Sequence, residues 1–105
     1  MESVLRKLFV LLLVLTFGVA ISYAQDSAAL YKSKCQACHG ASGKGDTPMG
    51  PKLGVKDFHS PEVAKASDQD LFNTTKNGKN KMPAYGKQLS DDQIKGLVKY
   101  IRALK

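Results

Sequence analysis

A chain of 105 residues with 16 basic and nine acidic side chains carries a formal charge of +7. That length holds one domain at most. No run of five or more like charges occurs, which argues against a nucleic-acid-binding tail and leaves acidic proteins as the partners such a charge implies.

The first element combines Arg6 and Lys7, an uncharged run of 14 residues from Leu8 to Ile21, and the small residues Ser22 and Ala24 around Tyr23. This is the pattern of a secretory signal peptide cut after Ala24. The run falls short of the roughly 20 residues that an upright membrane-spanning helix needs, which weighs against its retention as an anchor. Residues 1–24 are therefore expected to be a leader. Residues 25–105 are expected to be the mature domain, starting at Gln25, periplasmic, soluble, monomeric and without stable membrane insertion. Loss of Glu2, Arg6 and Lys7 lowers the formal charge by one, to +6. A domain of this size builds only a marginal apolar core, so something besides packing must hold it together.

Asp26 and Ser27 offer an N-cap for a helix that places Tyr31, Cys35 and Cys38 at i, i+4 and i+7. The stretch from Gly40 to His59 is rich in Gly, Pro, Ser and Asp and is predicted to be a long loop. Ser60-Pro61 begins a short helix to about Ala66, and Ser67 with Asp70 begins another that ends at Asn77-Gly78. Lys79 to Leu89, with Met82-Pro83, is a second loop. Ser90 and Gln93 then make a capping box for a last helix with the apolar stripe Ile94, Leu97, Val98, Ile101 and Leu104. Lys95, Lys99 and Arg102 lie opposite that stripe, and Gly96 is placed on the outer side. No strand pattern appears, so the fold class is all-α.

Cys35-Gln36-Ala37-Cys38-His39 has the spacing of c-type haem attachment. Two thiols three positions apart at a helix end can each add across one porphyrin vinyl group while the adjacent imidazole is aimed at the iron. A structural zinc site wants four protein ligands, and beyond His39 the chain offers only His59. A thioredoxin-like site expects a βαβ neighbourhood. A Cys35–Cys38 disulfide would close too short a loop to stabilise much. A haem macrocycle, by contrast, supplies the missing core.

Three residues are candidates for a second axial ligand: Met49, His59 and Met82. Met82 lies 43 residues beyond His39 in an irregular loop stiffened by Pro83, enough chain to reach the opposite ring face. Met49 is only ten residues past His39 and is expected to pack, and His59 is expected at the surface. Met82 is the expected ligand, with an open or exchanged sixth position as the alternative.

The attachment motif, followed by Asn77-Gly78-Lys79-Asn80-Lys81-Met82-Pro83-Ala84-Tyr85-Gly86 and a Leu-containing last helix, resembles class I cytochrome c. The later segment is similar to that of cytochrome c6. The resemblance covers nearly all of residues 25–105. It implies a compact fold of three to four short helices around one covalently bound haem c, with the N- and C-terminal helices crossing. It also implies contacts of Tyr31 with the Leu97-Val98-x-Tyr100 segment. Gly50-Pro51-x-Leu53 matches the family segment whose proline carbonyl accepts the imidazole N–H, which makes Pro51 the expected partner of His39. Ser27 stands where many relatives have Gly at the crossing. With His39 and Met82 both on the iron, the implied function is that of an electron carrier between larger redox proteins, without turnover of its own. The rival readings are a haem enzyme or gas sensor with a labile sixth position and a haem-free thiol-disulfide protein.

Overall fold

The computed structural model describes residues 2–105, and within 12–25 the backbone alone. The side chains of the expected cleavage residues Ser22 to Ala24 thus lie outside the described residues. Six helical segments follow one another: α1 (Glu2–Lys34), α2 (Gln36–His39), α3 (Gly50–Leu53), α4 (Pro61–Lys65), α5 (Asp68–Asn77) and α6 (Asp91–Ala103). The β-structure among the described residues is a single bridge between Lys79 and Met82.

The helix starts are set by hydroxyl caps. Ser67 accepts the Asp70 N–H at 3.0 Å and Ser90 accepts the Gln93 N–H at 3.1 Å, while the Gln93 side chain returns to the Ser90 N–H at 2.9 Å. The expected start at Asp26 and Ser27 is different: α1 runs through it from Glu2. No proline or glycine interrupts the chain between Val19 and Lys34, so these two residues could act as caps only on a chain cut at Gln25.

α6 is the hub, packing on both α1 and α5. Its stripe buries Ile94, Leu97 and Val98, which join Tyr31 and Leu89 in the core. Gly96 corrects the sequence expectation. Instead of lying on an outer side it faces Ser27 at the α1–α6 crossing, where an added Cβ would stand 2.7 Å from the Ser27 hydroxyl. The small residue that brings the helices close is therefore supplied by α6 rather than α1.

Arg102, assigned to the solvent face by its spacing, is instead a clamp. Its guanidinium donates to the carbonyls of Val63 (3.0 Å) and Ala66 at the end of α4 and to the Asp68 carboxylate at 3.1 Å. One side chain thus gathers the carbonyls at the C-terminus of α4 and fixes the α4–α5 corner on α6.

His59 is a surface residue, as expected, yet both ring nitrogens are engaged. Nδ1 is 2.7 Å from Asp57 Oδ1 and Nε2 is 2.9 Å from the Leu104 carbonyl. Two acceptors can both be satisfied only by the doubly protonated ring. The Asp57 hydrogen bond, then the Leu104 carbonyl, raise the His59 pKa above its ordinary 6.5. A raised folded-state pKa contributes stability that is complete below 6.5 and fades as pH rises through the raised value. The thermal midpoint is therefore expected to fall as pH rises above 6.5, and scanning calorimetry of His59→Gln should show that part of the pH dependence gone.

Candidate haem-binding site

The helix carrying Tyr31 breaks at Cys35 and resumes for one turn, so Gln36–His39 forms a separate α2. The break is shallow, because the Cys35 N–H still reaches the Tyr31 carbonyl at 2.9 Å and the His39 N–H reaches the Cys35 carbonyl at 3.0 Å. Two side chains hold this turn from outside. The buried Tyr31 hydroxyl donates to the Gly40 carbonyl at 2.6 Å, and burial pushes its own pKa up to about 12. Thr47 donates to the Cys38 carbonyl at 2.8 Å and accepts the Gly50 N–H at 2.9 Å, tying α3 to α2. Gly50 must be glycine, since a Cβ there would collide with the Gly45 carbonyl.

Cys35, Cys38 and His39 open on a cavity of about 550 Å³, within the roughly 300–1,000 Å³ range usual for cofactor pockets. The apolar part of its lining is Leu53, Val55 and Phe58 from the loop region, Val63 and Leu71 from α4 and α5, and Leu97, Val98 and Ile101 from α6, with polar residues such as Lys56, Glu62, Asn73 and Lys79 also lining it. Met82 lines the same cavity from the loop after α5. Met49 and Pro51 are not among its lining residues. The expectation that Met49 packs is overturned: it is 46% exposed at the N-cap of α3, where the chain turns outward.

Met82 is presented by a tight turn. Its N–H donates to the Lys79 carbonyl at 2.9 Å, the Lys79 N–H returns to the Met82 carbonyl at 3.2 Å, and Asn80 takes the left-handed conformation at φ 55°. Gly78 lies against this turn, and a Cβ there would come within 2.8 Å of the Met82 carbonyl.

Burial raises the Cys35 pKa to about 11, further raised by Cys38 and partly offset by Lys34. A redox-motif nucleophile needs the opposite shift, and the two thiols are free. Burial lowers the His39 pKa, keeping the imidazole neutral as a metal ligand must be. The His39 ring stacks on Phe58 at 4.6 Å between centroids, and its buried Nδ1 has no hydrogen-bond partner. No hydrogen bond joins it to the expected partner Pro51, whose carbonyl accepts the Gly54 N–H at 3.4 Å within the turn of α3 and keeps a second lone pair.

A paired-thiol, neutral-imidazole wall facing an apolar cavity suits a flat macrocycle held covalently and axially at once, which places the molecule in the class of c-type cytochromes. Over residues 23–101 the chain matches the family model described as cytochrome C oxidase, cbb3-type, subunit III, and it belongs to this cytochrome c family. It is 39% identical over 104 residues to cytochrome c-553 of Helicobacter pylori, covering 96% of this chain and 100% of that one. It is 30% identical over 96 residues to cytochrome c6 of the alga Gracilaria tenuistipitata var. liui, covering 89% and 86%. Among solved structures it is similar to the KustC0563 c-type cytochrome, with a TM-score of 0.69 and 31% identity over 75% of this chain and 96% of that one. The cofactor is haem c, and the chain is a small c-type cytochrome of the electron-carrying kind.

Proposed function

We propose that residues 25–105 form a periplasmic carrier that passes single electrons between larger redox proteins. Cys35 and Cys38 hold the haem by thioether bonds, and His39 and Met82 are its axial ligands. The observation that carries this reading is that all four side chains line one apolar cavity although three belong to one end of the fold and Met82 to another. Bound haem supplies reversible one-electron exchange at iron.

The residues do the rest. The neutral His39 ring offers a lone pair, and its orphaned Nδ1–H needs an acceptor, for which Pro51 on the adjoining α3 is the residue proposed. The apolar walls exclude water and favour the less charged state of the site. With both axial positions held by protein, no coordination position is left for a substrate, and we assign no catalytic turnover. Removal of the leader is supported by the exposure of Val4, Leu5, Leu8, Phe9, Val10 and Leu11 along α1, an apolar surface that a water-soluble carrier would not keep. No helix among the described residues is long and apolar enough to cross a membrane.

The partner face is proposed to be acidic, with the carrier acting as a monomer. Of the lysines that bracket Met82, Lys76 is already engaged: its Nζ is 3.1 Å from Asp91 and 5.6 Å from the centre of the Phe72 ring. Lys79, Lys81 and Lys87 are exposed. Stopped-flow transfer to the acceptor should slow as salt rises past about 0.1 M, where the Debye length is about 10 Å. Charge reversal at Lys79 and Lys81 should flatten that dependence, and the same reversal at Lys76 should change it little. A rate indifferent to salt and to all three reversals would remove this loop from docking.

A further inference from the structure

Among the described residues, α1 and α5 do not pack on each other; each packs on α6. This matters because Cys35 joins α1 to α2 and Cys38 and His39 lie in α2, whereas the loop bearing Met82 hangs from α5. The Tyr85 N–H donates to the Thr75 carbonyl and the Gly86 N–H to the Lys76 carbonyl, both at 3.0 Å. The two sides are joined in the core, where Leu89 and Tyr31 share one cluster. On the exposed side, hydrogen bonds between them converge on Lys34, the residue before Cys35. The Tyr85 hydroxyl donates to its carbonyl at 3.0 Å, and its ammonium donates to Gln88 at 3.3 Å.

We propose that Tyr85 is a positioning residue for the distal ligand: its phenol is a strut that holds the Met82 loop against the haem-attachment segment and sets how often Met82 leaves the iron. The inference rests on the reading of Met82 as axial ligand. Tyr85 suits this role because it is pinned at both ends, by its backbone N–H to α5 and by its hydroxyl to α1, and lies three residues from Met82. The Lys34–Gln88 contact joins two long exposed side chains and constrains far less. Phenylalanine at 85 would keep the ring and the backbone bond and remove only the far anchor. The freed Lys34 carbonyl lies at the exposed surface, where water can reach it, so the variant loses one net hydrogen bond and no more, in global unfolding as in loop opening.

The test is cyanide binding to the ferric, haem-loaded protein, since cyanide can enter only when Met82 has left. Tyr85→Phe is expected to bind cyanide roughly three- to tenfold faster than wild type, the factor that one net hydrogen bond is worth in an opening equilibrium. Arg102→Lys, which weakens the fold at the remote α4–α5 corner, serves as the control and should leave the rate unchanged even where it lowers the thermal midpoint more. Equal rates in wild type and Tyr85→Phe, or equal acceleration in both variants, would overturn the proposal. The wild-type ferric spectrum separates the two layers. A methionine-to-iron charge-transfer band in wild type together with equal cyanide rates sinks the strut alone, whereas a wild type lacking that band sinks the Met82 reading and the strut with it.

Discussion

Replacing Cys35 and Cys38 together with serine is expected to leave a chain that holds no haem through denaturing extraction and whose mature domain is largely unfolded at 25 °C. The buried apolar set among the described residues is Tyr31, Leu89, Ile94, Leu97 and Val98. So few side chains make a marginal core for a domain of about 80 residues. Val63, Leu71 and Ile101 line the cavity and are only half-buried, so a bound ring would complete their burial. Far-ultraviolet circular dichroism should show most of the helical signal lost in the double variant. A single Cys38→Ser change, which keeps one thioether and His39, should give an intermediate loss. A double variant with a native helical signal and a cooperative melt would mean that the polypeptide core suffices without the covalent cofactor.

The second large effect is expected at Met82. Met82→Ala should lower the reduction potential by on the order of 0.1 V, within the range of about 0.8 V that axial ligation spans. It should also open the ferrous iron to carbon monoxide and the ferric iron to cyanide. Met49→Ala should leave both properties near wild type, because Met49 does not line the cavity and projects into solvent. The turn that carries Met82 is closed by its own backbone bonds, so the substitution removes the thioether with little change to the loop. Protein-film voltammetry with carbon monoxide titration of the three proteins checks this. A wild type that already binds carbon monoxide readily, with Met82→Ala indistinguishable from it, would favour a sensor or enzyme.

The elements readable in advance are those whose signals are local. The caps at Ser60, Ser67 and Ser90, the stop at Asn77-Gly78 and the α6 stripe each depend on residues within about four positions, and all recur in the structure. The attachment motif is local in the same sense, which is why Cys35, Cys38 and His39 could be named from spacing alone. What spacing did not disclose depends on distant parts of the chain. Arg102 appears to sit on a polar face until the carbonyls of Val63 and Ala66 are brought beneath it, 39 and 36 positions away. Gly96 has no evident use until Ser27 crosses it. The Tyr85–Lys34 bond spans 51 positions and leaves no trace in any periodicity. The Lys76–Asp91 pair joins residues on successive long helices, α5 and the start of α6, and is equally invisible to spacing. The single turn of α3 was hidden because Gly and Pro at its start signal a loop, although Pro is welcome at the first positions of a helix.

The most direct test of a covalently bound single haem in an exported carrier is one mass spectrum of the protein from a periplasmic fraction, taken after extraction with acidified organic solvent. The account predicts the mass of residues 25–105 plus one haem, with the red colour staying in the protein pellet. A chain of that mass without haem, or colour passing into the solvent, would contradict it.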